Sequence, residues 1–141
     1  MIRPGIALVL TGIWLGALTL AAPQDATPDL AGVYLVDGVN PDGTTYTAAV
    51  ELRQHDETWA LTWAFAPSGG QGIGIGLLNG SVLSVIFQVE TGVGLVAFQR
   101  DAQGRWVGRW TMPGGAGVGT ETLTKTAARS LEDVRGPRRG V

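Results

Sequence analysis

The stretch QGIGIGLLNG, residues 71–80, places glycine at positions 72, 74 and 76 with apolar residues between them. A dinucleotide-binding loop requires the spacing G-x-G-x-x-G at a turn from strand to helix. The sixth residue counted from Gly72 is Leu77, and the sixth counted from Gly74 is Asn79, so both registers fail. The run therefore predicts a strand and not a phosphate-binding loop.

Strand alternation gives this run two different faces. One face carries only glycine, and the other carries Ile73, Ile75 and Leu77. The preceding segment TWALTWAFA, residues 58–66, is predicted to be a strand with large side chains on one face: Trp59, Leu61, Trp63 and Phe65. If residues 67–70 form a four-residue hairpin loop, Trp63 lies opposite Gly74 and Phe65 opposite Gly72. Aromatic rings then cover the bare glycine face.

The rest of the chain repeats this strand-like pattern with short breaks between segments. We predict eight strands, over residues 32–37, 44–54, 57–66, 71–78, 81–90, 92–100, 105–112 and 117–125. The breaks carry turn residues: NPDG at 40–43, QHDE at 54–57, NGS at 79–81, ETG at 90–92 and DAQG at 101–104. Short connections favour antiparallel neighbours, and closure removes exposed edges. The predicted fold class is all-β, a single small antiparallel up-and-down β-barrel of about eight strands, with a β-sandwich as the alternative.

The two ends of the chain differ in composition from the middle. Arg3 precedes an uncharged stretch from 4 to 22, and small residues lead into Pro23, which is typical of a secretory signal peptide over 1–22. An uncleaved membrane anchor is the alternative. Residues 23–30 are predicted to be a flexible lead-in, 31–126 the barrel domain, and 127–141 a disordered basic tail. The expected location is exported, periplasmic or extracellular.

Composition excludes several kinds of partner and cofactor. The net charge of −2 and the pI near 5.2 give no electrostatic reason to expect nucleic acid. The chain has no cysteine and one histidine, His55, so disulfides and a zinc site of cysteine and histidine are excluded. We expect no cofactor and no metal.

Four tryptophans of the barrel domain are the candidate ligand-binding residues. Trp59 and Trp63 share one strand face, and so do Trp106 and Trp110 in the run GRWVGRW. Large aromatic side chains commonly fill a core. They can also line a pocket for a small apolar or planar ligand inside a barrel. The sequence leaves both interpretations open.

Carboxylates offer the one route to catalysis. Glu121, in GTETL, shares a strand face with Leu123 and is predicted to point inward, and Glu90 lies at a strand end. A buried carboxyl can have a raised pKa and act as an acid or a base. The favoured interpretation is instead a structural ion pair between Glu121 and Arg105 or Arg109.

Several motifs together resemble a known group of proteins. The runs GVYLVDGVNPDGTTYTAAVEL, TWALTW, GIGIG, GRWVGRW and GTETLTK resemble small exported bacterial β-rich proteins of Gly-x-Tyr, Asn-Pro-Asp-Gly, Gly-x-Trp and Gly-Thr-Glu pattern. That family is mostly uncharacterised, and some members carry the label fibronectin-binding protein. The resemblance covers about 32–125 and implies no catalytic residues. The architecture is also similar to avidin-like and lipocalin-like barrels.

The sequence thus predicts an exported, non-enzymatic binding or interaction module. Its partner would be a small apolar ligand held by the tryptophans and Glu121, or an extracellular or envelope protein, with the oligomeric state open. The alternatives are a structural envelope protein and a small barrel enzyme that uses Glu121 or Glu90. A membrane is a partner only if the signal segment is retained.

Overall fold

The computed structural model describes residues 29–135, which form one closed sheet and a short helix. The strands are β1 (Gly32–Val39), β2 (Thr45–His55), β3 (Thr58–Ala66), β4 (Gln71–Asn79), β5 (Val82–Val89), β6 (Gly92–Arg100), β7 (Trp106–Thr111) and β8 (Gly119–Lys125). Each strand pairs antiparallel with the next, and β8 pairs with β1. The predicted eight-stranded up-and-down barrel is confirmed. The sandwich is excluded because the β1–β8 pairing closes a single sheet.

The turns form as their residues predict. In NPDG the amide of Gly43 donates to the carbonyl of Asn40 at 2.9 Å, and Gly43 has a φ of 87°. DAQG repeats the arrangement, with the amide of Gly104 donating to the carbonyl of Asp101 at 3.1 Å. Glycine adopts this positive φ without the strain that a Cβ would bring. These local turns set the antiparallel order of the strands.

Aromatic rings lie over glycines of the neighbouring strand throughout the barrel interior. Six interior aromatic residues have glycine as their direct cross-strand partner. The pairs are Tyr46–Gly38, Trp63–Gly72, Trp59–Gly76, Phe87–Gly94, Phe98–Gly108 and Trp110–Gly119. The missing side chain leaves the space that the ring occupies. The predicted covering of the glycine face of β4 is therefore confirmed, and the same device recurs around the barrel.

The predicted register between β3 and β4 is wrong by two residues. Trp63 lies opposite Gly72, and Gln71 pairs with Ala64. The hairpin closes one residue earlier than predicted, because the amide of Phe65 donates to the carbonyl of Gly70 at 2.8 Å. A shift of two residues keeps every side chain on its face. The Trp63 ring still reaches Gly74, where an added Cβ would lie 2.9 Å from its Cζ3.

One half of the barrel is packed solid. Trp59, Trp106, Phe98 and Tyr34 are buried there with aliphatic side chains from several strands. Leu30 closes this end from below and is fully buried, and its carbonyl accepts a hydrogen bond from the Tyr34 hydroxyl at 2.9 Å. We call this half the closed half. It supplies the apolar burial that stabilises a small domain without disulfides.

The segments that flank the barrel differ from prediction where the structure describes them. Leu30, predicted to lie in a flexible lead-in, is part of the core. The predicted disordered tail contains the helix α1 (Leu131–Arg135). Ser130 and Asp133 cap it reciprocally, since each backbone amide donates to the other's side chain, at 3.1 and 3.4 Å. Both segments are rich in polar residues, so the hydrophobic pattern of the sequence did not predict the burial of Leu30 or the helix α1.

The predicted signal segment, the first part of the lead-in and residues 136–141 lie outside the described residues. Within 29–135, no helix is long and apolar enough to cross a membrane.

Replacing an interior glycine tests the ring-over-glycine packing. A Cβ added at Gly108 would lie 2.5 Å from Phe98 Cδ1, and Phe98 is fully buried, so its ring has little freedom to move. We expect Gly108→Ala to lower the free energy of unfolding by about 1–3 kcal/mol, as overpacked cores do. Urea denaturation measures the effect.

The matched control is Gly70→Ala, where the nearest atom would lie 3.5 Å away and the backbone φ suits alanine. This variant should change stability by less than about 0.5 kcal/mol. Adding Phe98→Leu to Gly108→Ala should recover part of the loss. Equal stability of the two alanine variants would contradict the packing argument.

Candidate functional site

The four candidate tryptophans divide between the two halves of the barrel. Trp59 and Trp63 are four residues apart, as are Trp106 and Trp110, which puts about 13 Å along a strand between the members of each pair. Trp59 and Trp106 therefore pack in the closed half. Trp63 and Trp110 line a cavity at the other end. Core packing therefore applies to Trp59 and Trp106, and pocket lining applies to Trp63 and Trp110.

That cavity, which we call the cup, has a volume of about 270 Å³. It lies at the barrel end that carries the β1–β2, β3–β4, β5–β6 and β7–β8 turns. Its lining is mostly apolar and consists of Asn40, Tyr46, Trp63, Phe65, Phe87, Val89, Thr91, Val96, Trp110, Met112 and Glu121. The packed closed half forms its floor. The strands thus build a pocket with rigid walls in half of the barrel.

Five aromatic rings form most of the wall of the cup. The ring centroid of Tyr46 lies 6.0 Å from that of Phe65 and 6.5 Å from that of Trp110. The ring centroid of Phe87 lies 6.3 Å from those of Trp110 and Trp63. The rings meet at tilted or edge-on angles, the arrangement that aromatic quadrupoles favour. We call these five residues the aromatic wall.

Glu121 is the one carboxyl group on the cup lining, and it is 6% exposed. Its neighbours across β1 and β7 are Gly38 and Gly108, and the rings of Tyr46 and Phe98 occupy the space over these glycines. The hydroxyl of Tyr46 donates to Glu121 Oε1 at 2.8 Å. The predicted inward orientation of Glu121 is confirmed.

Burial raises the pKa of Glu121 from its ordinary value of 4.5 to about 7, because an apolar environment disfavours the charged form. The hydrogen bond from Tyr46 opposes that rise. The indole N–H of Trp63 opposes it too, although its geometry falls short of a hydrogen bond. Burial and then the nearby carboxyl raise the pKa of Tyr46, so its hydroxyl remains a donor. The carboxyl is therefore poised between its two protonation states near neutral pH.

The predicted ion pair of Glu121 with an arginine is wrong. Arg109 points outward from β7, and Arg105 lies beyond the closed half, where its Nε donates to Asp101 at 2.8 Å. Alternation along β7 places Arg109 on the outer face, opposite to Trp106 and Trp110, and Arg105 precedes the strand in the β6–β7 turn. A tyrosine from β2 takes the position expected for an arginine.

Three buried polar atoms of the cup have no hydrogen-bond partner among residues 29–135. They are the indole Nε1 atoms of Trp63 and Trp110 and the Oε2 atom of Glu121. Buried polar atoms are usually paired, because leaving one unpaired is unfavourable by about 1–3 kcal/mol. All three belong to side chains that line the cup, and the atoms themselves are shielded within its wall.

Several functional candidates lie elsewhere, and several lining residues were not predicted. Glu90 is exposed in the β5–β6 turn, and His55 is exposed beyond the closed half. No cluster of three potential metal ligands occurs within the described part of the chain.

Sequence analysis missed Tyr46, Phe65 and Phe87 as lining residues. Two of these, Tyr46 and Phe87, have a glycine directly opposite, which is the signal that could have found them.

Comparison with known proteins adds information about the fold. The sequence matches no protein-family model and no curated protein. The structure is similar to the redesigned β-barrel mFAP1 bound to DFHBI, with 17% identity and a TM-score of 0.60, covering 68% of this chain and 94% of that one. It is also similar to the redesigned barrel mFAP0 bound to DFHBI, with 20% identity, a TM-score of 0.56 and coverage of 68% and 98%.

A third similar structure, EF1p2_mFAP2b bound to DFHBI, has 15% identity, a TM-score of 0.53 and coverage of 69% and 94%. At these identities the similarity shows the barrel fold alone. The family suggested by the sequence motifs stays a prediction.

Titration of Glu121 should make the stability of the protein depend on pH. Its folded pKa lies above the unfolded value, so between pH 4.5 and about 7 the folded state holds more protons. The free energy of unfolding therefore falls as pH rises through that window, by on the order of 3 kcal/mol. In Glu121→Gln this contribution should be absent. Urea denaturation at pH 5 and pH 8 measures it.

The matched control is Glu90→Gln, which alters an exposed glutamate and should keep the wild-type pH slope. The pKa values of Asp42 and Asp101 are lowered, so these groups affect stability only at more acidic pH. Both groups are present in the wild type, in Glu121→Gln and in Glu90→Gln. Parallel slopes for the wild type and Glu121→Gln would show that Glu121 is not the titrating group.

Proposed function

We propose that the protein is a non-enzymatic binding module whose cup holds one small, mainly apolar molecule of aromatic size. The observation that carries this proposal is the cup itself, in which five rings and one buried carboxyl surround about 270 Å³ above a packed floor. Three lining side chains, those of Trp63, Trp110 and Glu121, carry polar groups at the wall of this space, which suits a ligand with an apolar body and at least one polar group.

The size of the cup limits the ligand. A cavity of about 150 Å³ in another protein holds benzene. By the same scale the cup holds roughly a dozen non-hydrogen atoms, with a larger molecule extending past the turns. A ligand of that size should bind with a dissociation constant on the order of 10–100 µM, given typical binding energy per atom.

The structural neighbours support the proposal in one respect. The barrels mFAP1, mFAP0 and EF1p2_mFAP2b are each bound to DFHBI, so this architecture accommodates a ligand in proteins of similar fold. The apolar stretch at the start of the chain supports a location outside the cytoplasm, and we include export in the proposal.

Indole N–H resonances provide a direct test, because the tryptophans divide between the cup and the closed half. Titration with 1-naphthylmethanol, which has about twelve non-hydrogen atoms, should shift the resonances of Trp63 and Trp110. Those of Trp59 and Trp106 should stay unchanged. Two-dimensional ¹H–¹⁵N spectra of the full chain, assigned with single Trp→Phe variants, provide the measurement.

A pair of matched variants locates the binding. Val89 lines the cup, whereas Val93 points outward from β6 at the same end of the barrel. Val89→Trp should weaken binding at least about tenfold by filling the cup, and Val93→Trp should leave it unchanged. If the probe leaves the Trp63 and Trp110 resonances unmoved, or if both variants bind equally, the cup is not the site.

A second candidate function, binding of a protein partner, rests on a separate surface. Ile75, Ile86 and Leu95 form one cross-strand row on the outside of β4, β5 and β6, and each is at least half exposed. Contiguous exposed apolar side chains favour an interaction site. A second copy of the chain is the first partner to test, since a twofold axis pairs the same patch on both copies.

Sedimentation velocity tests this candidate. The wild type should form dimers at tens of micromolar, and Ile86→Lys should remain monomeric because it buries a charge at the centre of the row. Thr124→Lys, on the outer face of β8, is the control and should dimerise like the wild type. A monomeric wild type over this range would exclude self-association through the patch.

A further inference from the structure

We propose that the ligand of the cup is an organic cation, a protonated or quaternary amine attached to a small apolar body. This inference rests on the proposed function and adds the charge class of the ligand. It follows from the charge of the lining, from the aromatic wall, and from the arrangement of donors around Glu121.

The lining of the cup carries a group that can become negative and none that can become positive. Glu121 contributes a buried carboxyl, and none of the lining residues is lysine, arginine or histidine. An ionised carboxylate that is buried without a countercharge is strongly unfavourable. A cation on the ligand, held in the cup that Glu121 lines, supplies that countercharge.

The aromatic wall complements a cation in a second way. Rings from Tyr46, Trp63, Phe65, Phe87 and Trp110 lie around one volume, with successive centroids 6.0–6.5 Å apart. The face of an aromatic ring attracts a cation within about 6 Å, most strongly for tryptophan and most strongly away from water. Several ring faces together with one carboxylate form a cage for an ammonium group.

Hydrogen-bond donors around Glu121 prepare it for the ionised state. Tyr46 donates to Oε1, and the N–H of Trp63 approaches the carboxyl. The N–H of Trp110 in turn approaches the Tyr46 hydroxyl and favours its ionised form slightly. These donors therefore favour the negative charge on Glu121. A ligand anion would meet repulsion from the same carboxylate.

Binding of a permanent cation should depend on pH through Glu121. Tyr46 is the one titratable residue that contacts Glu121 among the described residues, and its raised pKa keeps it neutral. On the neighbouring strands Asp37 and Arg109 point outward. The cation favours the ionised carboxyl, so its affinity should rise as pH increases through the pKa of Glu121 before binding, which is about 7.

The test compares two probes of nearly equal shape and different charge. Benzyltrimethylammonium is permanently cationic, and 2-methyl-1-phenylpropan-2-ol replaces its charged nitrogen by a neutral carbon and one of its methyl groups by a hydroxyl. Titrations of the full chain are followed by the indole resonances of Trp63 and Trp110. At pH 8 the cation should bind about tenfold tighter than the alcohol. From pH 6 to pH 8 only the affinity of the cation should increase.

Variants assign the preference to Glu121. In Glu121→Gln the tenfold preference should fall to within about twofold, and the pH dependence should disappear. Asp37→Asn, which removes an exposed charge from the adjacent strand, should retain both properties and thereby exclude a general surface effect. The pH dependence of the wild type needs no variant, so it tests the inference even if Glu121→Gln fails to fold.

The outcomes separate this inference from the proposed function. If the alcohol binds as tightly as the cation, or if the affinity of the cation is unchanged between pH 6 and pH 8, the inference is wrong and the binding cup stands. If 1-naphthylmethanol binds and neither of these probes does, the inference is also wrong. If none of the three probes shifts the indole resonances of Trp63 and Trp110, both the inference and the proposed function are wrong.

Discussion

The contact between an interior aromatic ring and a glycine on the next strand is the interaction on which the rest of this structure depends. A barrel of eight short strands has limited space inside, and nine aromatic side chains cannot all point inward opposite other large residues. Six of them have glycine directly opposite. The ring restores the apolar burial that glycine lacks, and the glycine supplies the space that the ring needs. Neither residue would stabilise the sheet alone.

The same contact also explains why the cup exists. In the closed half, rings such as Phe98 are enclosed by leucine and valine from several strands and by Leu30 from below. At the other end the rings of the aromatic wall lie against the sheet over glycines, and the centre of the barrel is left as a cavity. The division between core and pocket is therefore set by which residues face the rings across the barrel axis. A solid half gives the cup rigid walls, which lowers the entropy lost on binding.

Glu121 lies at the boundary between these two halves, where its burial has a structural cost and its carboxyl lines the cup. Its burial is unfavourable above neutral pH, and Tyr46 offsets only part of that effect. Proteins commonly retain such unfavourable groups where a ligand interacts with them. The loss of stability at high pH and the proposed preference for a cation thus have the same origin in one buried carboxyl.

The amino-acid sequence by itself determined the strands, their order and the direction of most side chains. Alternation placed the glycines of β4, the paired tryptophans and Glu121 on interior faces, and NPDG and DAQG marked turns that form as expected. These features depend on residues close together in the chain, so local rules suffice.

Only the tertiary structure decided what those interior residues do. Closure brings Tyr46 to Glu121 across 75 residues of chain, where an arginine had been expected. It also places Trp59 with Trp106 in the closed half and Trp63 with Trp110 in the cup, although each of these pairs comes from distant parts of the chain. Leu30 becomes core although no strand pattern in the sequence includes it. Each of these outcomes depends on which strands face each other across the barrel. These contacts join residues far apart in the chain, so local sequence patterns do not predict them.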